Sequence, residues 1–253
     1  MSALNIDALL GRPSPEHVED PASAPAPGGS PPAHQLGLEL LAAWQLVRLL
    51  RAAPWLVRAP RGSGDVVDMP GWRAPEASNA PVRGYLRILG YDARPWGLGT
   101  NRGNPVRDVA RLVRTLPREH HGPVALVGWS LGGLIAREVA RVIPEKVSCV
   151  VTYGTPVVGG PAHTFAARFY GEQVATRAHK LGARLDSERP IEVPVTAIYS
   201  RADGIVDWRA CIDRRSPRVR HVEVRSTHLG LGVDPDVWWV LAETLAAHQH
   251  SGA

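Results

Sequence analysis

Ser130 stands in the hexapeptide GWSLGG, residues 128–133, with a glycine two positions before it and another two positions after it. A hydroxyl is a poor nucleophile near neutral pH, so the spacing matters only if the chain turns sharply at the serine and presents its oxygen to a base. The flanks supply such a turn. PVALVG (123–128) is a short apolar run bounded by turn residues and reads as a buried parallel strand. After the serine, Leu131, Leu134, Ile135, Val139 and Val142 recur at three-to-four spacing, with Arg137, Glu138 and Arg141 on the opposite face, until Pro144 stops the helix. A serine on a strand-to-helix turn has strained backbone angles, and side chains two residues to either side would collide, which accounts for Gly128 and Gly132. The backbone N–H of Leu131, at the helix start, is then expected to point at a developing oxyanion. The competing reading is a plain turn with an incidental serine.

A nucleophilic serine needs a base to take its proton and a carboxylate to fix the tautomer of that base. In doubly wound folds such groups gather in the loops beyond the carboxyl ends of the strands. After PVTAIYS the chain reads RADGIVDW, offering Asp203 and Asp207; after RHVEVR it reads STHLGLG, offering His228. The exit of the strand ending at Gly154 reads TPVVGG and carries no carboxylate. Asp203 is preferred as the acid because it lies nearer its strand end, with Gly204 making the turn, whereas Asp207 reads as the cap of a helix beginning near Trp208. His221 lies within a strand, His120 and His121 precede one and His163 is in an insertion, so His228 stands apart as the base. A second oxyanion donor is expected in the loop after DVVDM, where Gly71 would let the backbone N–H of Trp72 turn toward the site; the alternative is a simple Pro-Gly turn.

These loops need a sheet to hold them. From about Asp65 the strand-like runs DVVDM, YDARPW, VALVG, KVSCVVTYG, PVTAIYS and RHVEVR alternate with helical patterns in APVRGYLRILG, NPVRDVARLVRTL, the segment after Ser130 and PDVWWVLAETLAAH. That alternation is the signature of βα units in a parallel sheet. Residues 157–190 have helical spacing and no matching strand, and read as a short cap or lid inserted over the sheet edge. Phe165, Phe169 and Tyr170 in it are expected to cover the approach to Ser130 and set acyl preference, the alternative being that they pack the insertion onto the sheet. Residues 1–35, rich in Pro, Ala and Gly, have little to bury and read as a disordered or loosely draped arm. Residues 36–253 then form a single domain, beginning with a leucine-rich amphipathic helix over 36–57 that is expected to pack on the domain and help line an acyl pocket. Its Glu39, Gln45, Arg48 and Arg51 make a bilayer crossing costly, so no stable membrane insertion is expected; the alternative to packing on the domain is a helix lying on a membrane surface.

In order along the chain, PGW, WGLGTNRG, GWSLGG, YGTP, SRADGIVDW and THLGLGVDP resemble the corresponding segments of the α/β-hydrolase superfamily, and within it of bacterial lipase- or esterase-like proteins. The resemblance runs from about Asp65 to the final helix and implies the α/β-hydrolase fold: a mostly parallel central sheet flanked by helices. It implies that Ser130, Asp203 and His228 are nucleophile, acid and base, and that Trp72 and Leu131 form the oxyanion hole. Many relatives carry His-Gly before the oxyanion donor, where this chain has Met69 and Pro70 ahead of Gly71. The activity implied is hydrolysis of a small-molecule or lipid carboxylic ester through an acyl-enzyme, with no metal or organic cofactor. A thioesterase, acyltransferase or amidase on the same triad, or a binding protein that kept the fold, are the competing classes.

Composition bounds these readings. The 253 residues suffice for one α/β domain, and an apolar fraction of 44% is globular. The net charge of +5 comes from scattered arginines rather than a basic run, so no nucleic-acid partner is expected. Cys149 and Cys211 have no metal-ligand spacing and read as reduced thiols, and the N-terminus lacks a secretory pattern, which makes a cytoplasmic protein the expectation.

Overall fold

The computed structural model describes residues 11–18, 24–165, 184 and 187–248. In chain order the elements are β1 (Glu16–Val18), a 3₁₀ segment (Ala33–Leu41), α1 (Ala42–Leu56), β2 (Asp65–Met69), α2 (Ala80–Ile88), β3 (Asp92–Pro95), α3 (Pro105–Glu119), β4 (Val124–Trp129), α4 (Leu131–Val142), β5 (Val147–Tyr153), β6 (Val195–Tyr199), β7 (Val219–Glu223) and α5 (Pro235–Ala247). The strands lie in the order β1-β7-β6-β5-β4-β2-β3; β2 to β7 run parallel, and β1 joins the β7 edge antiparallel.

Both faces of the sheet are covered, which is why the central strands are continuous apolar runs rather than alternating ones. Successive residues feed opposite layers. Val66, Ala125 and Val127 face a core shared with α1, α2 and α5, through Ala52, Leu86 and Leu241. Val67, Val124 and Leu126 face a second core built with α3 and α4, through Leu112, Ile135 and Val139. The strand order reverses beside β4, so the carboxyl end of β4, where Ser130 sits, opens at the topological switch point of the sheet.

The N-terminal region differs from its sequence reading in two respects. Glu16–Val18, inside the Pro-rich segment expected to be disordered or loosely draped, pairs in register with His221–Glu223. The leucine-rich segment is a 3₁₀ turn followed by α1, with Pro54 inside the helix, and it packs with its polar side chains inward. Glu39 and Gln45 are buried, while Leu40 is 86% exposed and Leu50 76%. Apolar contact with the domain comes from the later part of α1, through Leu49, Ala52 and Leu56, while ahead of it polar groups bond to loop backbone and to carboxylates. Among the described residues no helix is long and apolar enough to cross a membrane.

Candidate active site

Ser130 ends β4 and precedes α4 with φ 53° and ψ −119°, a conformation that costs a non-glycine residue about 1–3 kcal/mol and persists only when its surroundings impose it. They do so through the backbone. Ser130 N–H donates to the Tyr153 carbonyl at 2.9 Å, and the Ser130 carbonyl accepts from Gly133 N–H at 3.0 Å and from the Thr155 hydroxyl at 3.0 Å. The glycines are demanded by close approach. A Cβ at Gly128 would sit 2.4 Å from the Gly133 backbone, and one at Gly132 would sit 2.1 Å from the Met69 carbonyl oxygen. The helix start is thus pressed against both its own strand and the end of β2.

The loops after β6 and β7 bring the other two groups together. His228 Nδ1 lies 2.7 Å from Asp203 Oδ2, and both side chains are buried. Asp203 Oδ1 accepts from the N–H groups of Ile205 at 2.9 Å and Val206 at 2.7 Å, which fixes the carboxylate with one oxygen toward the imidazole. With Nδ1–H donating to Asp203, Nε2 is left as the acceptor nitrogen. Burial works against protonation of His228, but the Asp203 carboxylate, their hydrogen bond and the charge of Glu39 outweigh it and hold the imidazole pKa above the ordinary histidine value. Asp207 is elsewhere in its hydrogen bonding: it caps the short helical turn Trp208–Cys211 through Arg209 N–H and accepts the Gly28 N–H at 2.9 Å.

Ser130 and His228 line one cavity of about 220 Å³, together with Gly71, Trp72, Trp129, Leu131, Leu134, Pro156, Pro161, Thr164, Phe165, Ile205, Val206 and Leu229. Both expected oxyanion residues, Trp72 and Leu131, are on its wall, as is Phe165 from the insertion. Phe169 and Tyr170 lie outside the described residues. No residue of 36–57 is among those lining the cavity, so the leucine-rich helix does not help to form it. Glu39 and Gln45 bond to the loops behind the site, while Ala52 and Leu56 join the core. Among the described residues no three His, Cys, Asp or Glu side chains converge as metal ligands would.

Three supporting residues escaped the sequence reading. Asn101, fully buried, pins the Trp72 loop: its amide donates to the Pro70 carbonyl at 2.8 Å, its carbonyl accepts Arg73 N–H at 2.7 Å, and its N–H donates to Ala74 at 3.0 Å. That loop needs pinning because Arg73 has a positive φ of 60°. Thr155 holds the serine turn, as above. Glu39 holds backbone N–H groups of Gly204, His228 and Leu229. Asn101 and Thr155 fall within WGLGTNRG and YGTP, where a buried polar residue beside a turn was the available signal; Glu39 had none, since it lies in an apolar stretch far from the site in sequence.

Comparison with known proteins fits this architecture. Residues 74–177 match the family model described as the alpha/beta hydrolase fold. The alpha/beta hydrolase domain-containing protein 10 from mouse superposes with a TM-score of 0.58 at 19% identity, covering 72% of this chain and 88% of its own. The chain has the α/β-hydrolase fold. A monoacylglycerol lipase from Paleococcus ferrophilus superposes on this chain with a TM-score of 0.56 at 17% identity, over 75% of this chain and 97% of the lipase. In sequence, the biotin biosynthesis bifunctional protein BioHC of Teredinibacter turnerae is 37% identical over 59 residues, 23% of this chain; the match spans only 10% of that larger protein.

Proposed function

We propose that this chain is a serine hydrolase of carboxylic esters. The observation that carries the reading is the juxtaposition of a strained Ser130 with His228, itself bonded to Asp203 at 2.7 Å, on the wall of one apolar cavity. In this reading Ser130 Oγ adds to the ester carbonyl carbon while its proton passes to His228 Nε2. The carbonyl oxygen becomes an oxyanion, for which the backbone N–H groups of Leu131 and Trp72 are the proposed donors. Collapse of the tetrahedral species breaks the bond to the alcohol oxygen, which leaves with the proton from His228. Water then repeats the sequence on the acyl-enzyme, giving up a proton to His228 and releasing the acid and free Ser130. Leu134, Phe165, Ile205, Val206 and Leu229 make the cavity wall apolar, which suits the acyl chain of an ester.

A fluorophosphonate probe tests the nucleophile directly: the native chain is expected to be labelled at Ser130, and Ser130→Ala to be folded and unlabelled. Labelling that survives in Ser130→Ala, or a native chain that neither labels nor hydrolyses p-nitrophenyl esters of graded chain length, overturns the reading.

A further inference from the structure

Glu39 comes from the 3₁₀ segment Ala33–Leu41, outside the residues matched by the family model. Its side chain is buried, with 8% of the residue exposed. Oε1 accepts the N–H of Gly204 and the N–H of His228, both at 2.9 Å, and Oε2 accepts the N–H of Leu229 at 2.8 Å. Gly204 follows Asp203 in the chain, so a single carboxylate ties the backbone beside the acid to the backbone of the base, across sequence separations of 165 and 189 residues. The fit is close on the loop side too. A Cβ at Gly204 would lie 2.4 Å from the Gln35 carbonyl oxygen and 3.1 Å from Glu39 Oε1, so the acid loop has glycine where the N-terminal segment crosses it. Six residues further along, Gln45 donates to the Arg225 carbonyl, just upstream of the base loop.

We infer that Glu39 is a positioning residue for the Asp203–His228 pair, and that the N-terminal segment is thereby a working part of the site rather than an appendage to the hydrolase domain. A carboxylate suits the task because three converging N–H groups need acceptor capacity and no donor, and a charged acceptor makes stronger, shorter bonds than a neutral one. Holding both loops from one point fixes the distance between acid and base without any contact with substrate. The charge itself also reaches the imidazole: the charged groups facing His228 are Asp203, from the loop after β6, and Glu39, from the 3₁₀ segment, and both favour the protonated ring. The inference rests on the serine-hydrolase reading for its catalytic consequence, but the geometry concerns His228 whatever the substrate.

The test is made on the full chain, with Glu39→Ala and the isosteric Glu39→Gln, and with Leu40→Ala, at an exposed neighbour, as the control. In Glu39→Ala kcat for a p-nitrophenyl ester is expected to fall about 10- to 100-fold, the scale of a small misplacement of reacting groups, with KM changed less than about twofold. Glu39→Gln keeps one acceptor oxygen and is expected to fall between Glu39→Ala and the native chain. The acid limb of kcat/KM is expected to move to lower pH in both, because a negative charge near the ring is gone. A role in stability alone predicts instead a lower Tm with the kcat and acid limb of the folded fraction unchanged, and that result overturns the inference. Titration of the His228 imidazole by NMR in the native chain and in Glu39→Gln separates this inference from the hydrolase reading. A midpoint lowered in Glu39→Gln supports the positioning role even in a chain that hydrolyses no ester, and an unmoved midpoint refutes it.

Discussion

At the scale of single residues, His228 sets the pH dependence of the proposed chemistry. It must be neutral to take the Ser130 proton, and its pKa lies above the ordinary histidine value because Asp203 and Glu39 together outweigh the burial that disfavours the charged ring. Activity should therefore fall as the pH is lowered through a midpoint above about 6.5, the unperturbed histidine value, in a kcat/KM profile. A limb below that value would mean that the carboxylates do not act on the ring as described. The sign for stability is the opposite one: a raised folded pKa means that protonated His228 stabilises the fold at low pH, and the contribution is lost as pH rises through the folded value. The two nearby acids should separate cleanly. Asp203→Asn removes the acceptor that holds Nδ1–H and should lower kcat by up to about 10⁴-fold, the loss known when a triad acid is made neutral. Asp207→Asn touches the turn at Trp208, the ion pair with Arg209 and the bond to Gly28, none of which reaches His228, so its kcat should stay within a few-fold of the native chain. Reversed phenotypes would move the acid to Asp207.

The elements are where the sequence was most and least legible. Of the six parallel strands, the central β4, β5 and β6 could be read as short runs of Val, Ile, Leu and Ala and the outer β3 and β7 by their alternation with helical patterns, and the strand-serine-helix turn because its two glycines are sterically required. The N-terminal elements could not. Glu16–Val18 is too short to carry a period, and Glu39 and Gln45 lie inward beside Ala52 and Leu56 while Leu40, Leu46 and Leu50 lie outward, so a hydropathy pattern misplaces part of the buried face. Backbone N–H groups of two distant loops, which no pattern in 36–57 can register, decide that orientation. The serine turn yields a sharp prediction of its own. Gly132→Ala puts a methyl 2.1 Å from the Met69 carbonyl, which can be relieved only by parting α4 from the end of β2 and so moving the loop of Trp72. Overpacking of this kind costs about 1–3 kcal/mol, and kcat should fall further than the folded fraction measured by urea unfolding. Near-native kcat in the folded protein would dissociate that loop from the chemistry. The described part of the insertion makes a milder claim. Phe165 lines the cavity, so Phe165→Ala should raise the turnover of long-chain relative to short-chain esters at near-native Tm; a large drop in Tm with the ratio preserved would make it a packing residue.

Across the described residues the N-terminal segment and the last helix close on each other, and Arg48 is the fastening. From α1 it reaches Asp234 and Asp236 at the start of α5, each at 2.7 Å, and the Arg225 carbonyl at 3.0 Å. Asp234 is fully buried and caps α5 through the N–H groups of Asp236 and Val237, while Asp236 also accepts Ser14 N–H at 2.8 Å. One guanidinium thus joins the N-terminal arm, α1 and the C-terminal helix that covers one face of the sheet. Burial raises the Asp234 pKa and Arg48 pulls it back. Replacing Arg48 by Met keeps much of the packing but leaves two adjacent carboxylates facing each other in a dry site. Breaking a fully buried pair costs about 3–5 kcal/mol; because Arg48 keeps 29% of its side chain exposed, roughly 2–3 kcal/mol is expected at pH 8 from urea unfolding. The deficit should shrink toward pH 5. With its partner gone, Asp234 has a folded pKa raised further above the unfolded value, so the folded state takes up a proton that the unfolded chain does not hold, and stability recovers as pH falls. Equal deficits at the two pH values would mean that Arg48 acts through its hydrocarbon stem and not its charge.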